Sequence, residues 1–173
     1  MSQSRVIEAV YEFFELVGRW SSSRAADESR EVFVSLPNFD EGALDPGEVA
    51  TRLAHAANRT RLGVSVDHNE GFLIQELAIA MIEYRVGRPQ EFWSQPDLYT
   101  DFVCGDVSVE DGLRAFDRWL ATENLDLRGT PLRLLNIFTG YDFYLAYLCP
   151  EAAVDNAITC LETLGLRASL FEL

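Results

Sequence analysis

Asp67, His68 and Glu70 stand within four consecutive residues, Asp67-His68-Asn69-Glu70, at the end of a segment that reads as a strand. Imidazole and carboxylate groups in such proximity suit two kinds of chemistry. One is ligation of a divalent metal, the other proton transfer between a base and an acid. Loops at strand ends are where such groups commonly work. The wider pattern does not extend the site: the only other histidine, His55, falls on a predicted helix, and neither H-x-x-x-H nor H-E-x-x-H occurs. The same residues serve equally as a polar turn in which Asp67 or Asn69 caps the next helix. The sequence therefore assigns no metal and calls for no cofactor.

Cys149 offers a second kind of chemistry. It lies where a predicted strand passes into a helix, beside Pro150. Backbone N–H groups at a helix N-terminus lower a thiol pKa and favour a thiolate nucleophile. The competing reading is a buried cysteine packed as a small hydrophobe. Asp142, in the turn before that strand, is a further polar neighbour for either chemistry.

Paired carboxylates form two clusters, Asp40-Glu41 with Asp45 and Glu48, and Glu110-Asp111. Two carboxylates can hydrolyse a glycoside when one sits in an apolar pocket. These lie in loops and first helical turns, where acids suit the helix dipole, so solvated acids are the better reading. Aromatic residues make a fourth group. Phe92, Trp93, Tyr99 and Phe102 crowd an irregular stretch together with Asp97 and Asp101. Aromatic side chains anchor protein interfaces. Phe116 and Trp119, at helical spacing, read as core instead.

The charge balance decides which partners are open. The 173 residues carry 28 acidic and 14 basic side chains, a net charge of −14, and every basic residue is arginine. An acidic excess opposes contact with phosphate backbones and with anionic membrane surfaces. It favours a basic protein. Cys104, Cys149 and Cys160 are odd in number and widely spaced, as in a reducing compartment rather than a disulfide framework. Glu8, Glu12 and Glu15 interrupt the N-terminal apolar run, so no signal-peptide core is expected, and the longest apolar stretches are too short to span a bilayer. A cytoplasmic location follows as the expectation. P-loop, G-x-G-x-x-G and G-x-S-x-G patterns are missing.

The elements that must position these residues follow from periodicity. Ile7, Val10, Tyr11, Phe14 and Val17 predict a helix over 4–19 with one apolar stripe. Residues 21–30 read as a polar loop and 31–36, Glu-Val-Phe-Val-Ser-Leu, as a strand stopped by Pro37. Asp45-Pro46-Gly47-Glu48 starts a helix to about 60, with Asp45 as cap and Glu48 reaching back. A strand at 62–66, an apolar helix at 72–86 and a helix opening at Ser108 come next. In the last of these, Leu113, Phe116, Trp119 and Leu120 face inward and Glu110, Asp111, Asp117 and Arg118 face water. Residues 132–138 and 143–148 form a hairpin about Gly140, the second strand apolar on both faces and therefore central. A helix over 150–164, closed by Gly165, and a strand over 166–173 complete the chain.

The expected fold is α+β: a mainly antiparallel sheet of about four to five strands, with helices packed on it, in a single domain over residues 1–173. Its parts include an N-terminal helix and polar loop (1–30) and a C-terminal hairpin-helix-strand unit (131–173). The function expected first is that of an acidic protein-binding module that occludes a basic partner. Its contacts would be drawn from Asp40, Glu41, Asp45, Glu48, Trp93, Asp97, Tyr99 and Asp101. In size and charge, though in no motif, the chain is similar to bacterial immunity proteins, and that likeness transfers no residues. The alternative is a small-molecule-binding protein or hydrolase-like enzyme around Asp67, His68 and Glu70.

Overall fold

The computed structural model describes residues 3–37, 39, 44–67, 108–122 and 131–171. In α1 (Gln3–Gly18), Val10, Phe13, Phe14 and Val17 are fully buried. The stripe is rotated from the expected one. Tyr11 is 39% exposed, and its ring carries the Arg30 guanidinium at 5.3 Å.

Helix α2 (Ser23–Ser35) replaces the expected loop and strand at 21–36. Ser22 caps it, its side chain accepting from the Ala25 N–H. Ala25, Ser29 and Phe33 recur every fourth residue and are all buried. Phe33 meets Phe14 edge-on at 6.2 Å. A Cβ on Gly18 would lie 2.9 Å from Ala26 Cβ, so two small residues let α1 and α2 approach closely. Packing of this stripe overrides the strand preference of Val32-Phe33-Val34.

Helix α3 (Pro46–Thr60) begins as expected, with Asp45 accepting from the Glu48 N–H and Pro46 in the first turn. Val49, Leu53 and Ala56 are buried. Glu48 does not serve the cap; its carboxylate turns forward to Arg52 Nε at 2.6 Å. Arg61 closes the helix at φ 59, its N–H returning to the Ala57 carbonyl.

The sheet comprises β1 (Gly63–Asp67), β2 (Leu132–Phe138), β3 (Phe143–Pro150) and β4 (Arg167–Leu170). Its order is β1-β3-β2-β4, antiparallel throughout. The hairpin strands are therefore the inner pair, and β3 is buried from Leu145 to Pro150. Phe13 meets the buried Tyr147 edge-on at 5.1 Å, and the Tyr147 hydroxyl donates to the Leu53 carbonyl at 2.6 Å. A short 3₁₀ turn (Glu151–Ala153) precedes α5 (Val154–Thr163), where a helix from residue 150 was expected. Gly165, at φ 78, ends α5 in a Schellman arrangement. Gly165 N–H donates to Glu162 and Leu166 N–H to Leu161. The helices and sheet share one apolar core.

Helix α4 (Val109–Thr122) buries Leu113, Phe116, Trp119 and Leu120 as expected. Asp117, expected to face water, is fully buried. It takes the Arg133 guanidinium in a bidentate pair, at 3.1 Å from Nε and 2.7 Å from Nη2. The same carboxylate accepts the Leu134 N–H at 2.6 Å. A charge-assisted fork of this kind is what makes burial of an acid tolerable. Among the described residues no helix is long and apolar enough to cross a membrane.

Candidate functional site

The turn between β2 and β3 is built by Thr139 and Gly140. Gly140 takes φ 75, which a side chain would disfavour. The Thr139 hydroxyl accepts the Tyr141 N–H at 3.1 Å and donates to the Phe143 carbonyl at 3.2 Å. The turn so held aims Tyr141 outward, its ring parallel to that of Phe143 (centroids 6.0 Å apart, 4° between planes). A Cβ on Gly47 would stand 2.2 Å from the Tyr141 hydroxyl. The phenol therefore rests against the first turn of α3, a seat that only a glycine leaves open. Gly165 is similarly close to Pro46, whose Cγ would lie 2.9 Å from an added Cβ. Three separate chain segments thus meet at one end of the sheet.

Between them lies a cleft of about 440 Å³, with Phe138, Tyr141, Tyr144, Glu110 and Arg167 among its walls. Phe138 and Arg167 are opposed across β2 and β4, and the guanidinium stands 6.0 Å over the Phe138 ring. Phe138 is 49% and Tyr141 56% exposed. With Tyr11 they are the only large apolar side chains so exposed among the described residues. Burial raises the Tyr144 phenol pKa, and Glu110 and Asp111 raise it further. Glu110, on α4, thus brings a carboxylate to the cleft. Glu110 pairs with Arg114 at 2.9 Å. Asp111 accepts from the Ser108 hydroxyl at 2.7 Å, while Ser108 Oγ accepts the Asp111 N–H. These are acids of a helix start, as expected.

The sequence-derived candidates divide three ways. Asp45 and Glu48 have structural work, one as a cap and the other as partner of a buried arginine. Arg52 is 1% exposed and donates to the carbonyls of Phe33, Leu36 and Pro37, with Phe39 beneath its guanidinium. Cys149 is fully buried, and burial pushes its thiol up to about 12. That is the opposite of thiolate activation, so the packed-cysteine reading holds. Cys160 is likewise a buried free thiol.

Asp67 ends β1 directly opposite Phe143, which brings its backbone to the cleft end of the sheet. Asp142 is exposed in the hairpin turn. Asp40, Glu41, His68, Glu70, Phe92, Trp93, Asp97, Tyr99, Asp101, Phe102 and Cys104 lie outside the described residues, as does the expected helix at 72–86. His55 is exposed on α3. Among the described residues no three His, Cys, Asp or Glu side chains gather to hold a metal.

Sequence reasoning overlooked Phe138 and Tyr141 as site residues. The available signal was their position, an aromatic at the end of a strand and another in the turn after it, where polar residues are usual.

Comparisons with protein-family models, with curated proteins and with solved structures find no match.

Proposed function

We propose that this chain is an acidic protein-binding module, of an inhibitor or immunity type, that docks onto a basic partner through the hairpin end of its sheet and occludes it. The observation that carries the proposal is the exposure of Phe138 and Tyr141 beside the acids Glu110, Asp111 and Asp142. Aromatic anchors with an acidic surround fit a basic surface: the rings contribute contact area, the charges steer approach. The net charge of −14 acts in the same sense over longer range. The reducing cytosol is the compartment that fits its free thiols.

The test is affinity capture from the source cell at low and moderate salt, run in parallel with the parent chain and a Phe138→Ala/Tyr141→Ala variant. The retained protein is then purified and its activity assayed with each. A basic protein that the parent holds and inhibits, and that the variant loses, supports the proposal. Equal retention and inhibition by both would move the contact surface elsewhere.

One observation favours a second reading. Asp67 lies opposite Phe143, so a small-molecule site to which Asp67 contributes would share the same end of the sheet. In that case His68→Ala would abolish ligand binding, with partner capture unaffected.

A further inference from the structure

The cleft at the hairpin end has a volume of about 440 Å³, within the ~300–1,000 Å³ of typical recognition pockets. Its walls are aromatic and acidic, with one basic side chain, Arg167, at the Phe138 ring. Tyr141 and Phe138 present aromatic surface that is half exposed. Glu110 presents a carboxylate, with Asp111 next to it and Asp142 in the turn above. Such a combination selects a cation that can also stack on a ring.

We infer that this cleft receives an arginine side chain of the basic partner, its guanidinium stacked on the hairpin aromatics and hydrogen-bonded to Glu110. The inference rests on the protein-binding reading and names the group that is bound. Arginine fits better than lysine for a physical reason. Its guanidinium is planar and weakly hydrated, so it can lie on a ring while its edge pairs with a carboxylate, whereas an ammonium is compact and holds its water. The chain itself already sets one guanidinium, that of Arg167, over the Phe138 ring of this cleft. Other occupants fit less well. A second copy of the chain would bring another net charge of −14 against the first. An anion would meet the Glu110 carboxylate in the wall of the cleft.

The test uses the full chain and labelled oligoarginine and oligolysine peptides of equal length, titrated by fluorescence anisotropy at about 0.05 and 0.15 M salt. Oligoarginine is expected to bind roughly five-fold more tightly than oligolysine. That ratio should fall below about two in Phe138→Ala/Tyr141→Ala. Glu110→Gln, which leaves the rings in place, should also lower it. Glu31→Gln, on α2, serves as a control for general charge and should leave it unchanged. If both peptides bind with salt dependence but the ratio survives in the aromatic and Glu110 variants, the cleft is not the arginine site, and acidic docking stands without it. If neither peptide binds at the lower salt, the inference and the protein-binding reading fall together.

Discussion

Trp20 and Asp117 stand at opposite edges of the same rung of the sheet. Leu134 and Leu148 face one another across the central hairpin. On one side β1 has ended, and Trp20 Nε1 donates to the Leu148 carbonyl at 3.0 Å. On the other β4 has ended, and Asp117 accepts the Leu134 N–H. Trp20, in the turn between α1 and α2, and Asp117, on α4, each take the place of a missing strand partner. The backbone groups of the inner strands are thus satisfied beyond the reach of their shorter neighbours.

Replacing the two residues separates their costs. Asp117→Ala removes the close partner of Arg133, leaving it only Glu151 at 3.7 Å, and leaves the Leu134 N–H without its acceptor; it is expected to cost about 3–5 kcal/mol in urea denaturation. Trp20→Phe keeps most of the packing and loses one donor, for about 1–3 kcal/mol. Adding Arg133→Met to Asp117→Ala should recover part of the loss, because no buried charge then remains. Full additivity of the two changes would show that the pair is not coupled.

Arg52 ties α3 to the C-terminal end of α2 through three carbonyls, while Glu48, one turn earlier on α3, holds its Nε. Arg52→Met retains the aliphatic stem and abandons those acceptors, so a loss of at least about 2 kcal/mol is expected. Glu48→Gln should cost only about 1 kcal/mol. Glu48 is 44% exposed, and a glutamine oxygen still accepts from Nε. Thermal melts of both variants give the comparison; equal losses would contradict this division of roles.

Alkaline pH should destabilise the fold. Burial raises the Cys149 thiol from 9.0 to about 12 and the Tyr147 phenol well above 10. Between those values the folded chain keeps protons that the unfolded chain gives up. Stability is therefore full below about pH 9 and falls as pH rises toward 12, at about 1.4 kcal/mol per pH unit for the thiol alone. Cys149→Ala should flatten the lower part of that decline. A parent and variant with identical pH profiles would exclude the thiol as a source.

Gly47 offers a test of the hairpin that leaves the core alone. In Gly47→Ala the new methyl would displace the Tyr141 phenol, while alanine suits a helix better than glycine by about 0.5–1 kcal/mol. Stability should hold or rise slightly. Oligoarginine affinity should fall if the seated phenol is the binding conformation. Unchanged affinity would show that Tyr141 needs no such seat.

Much of the fold is legible in local pattern. Asp45-Pro46 marks the start of α3 because capping is a local interaction, and Gly140 and Gly165 mark turns because their φ values are local too. The inner position of β3 was readable from its unbroken apolar run. Helix α2 was not readable. Val32-Phe33-Val34 prefers a strand in isolation, and only contacts with Phe14, with Gly18 and with Arg52 make it helical. The burial of Asp117 was hidden for a related reason: its partner, Arg133, lies in a different element. The site was the least legible part. Phe138, Tyr141, Glu110 and Arg167 come from four places in the sequence and converge only through strand register and the meeting of turns.

Arg52 grips main-chain oxygens of Phe33, Leu36 and Pro37, which every residue type possesses. Those three hydrogen bonds are therefore indifferent to side-chain identity, and the guanidinium meets a particular side chain after Pro37 only at Phe39, whose ring lies beneath it. Substitutions at Leu36 and Pro37 that keep the path of the chain would leave the attachment of α2 to α3 in place.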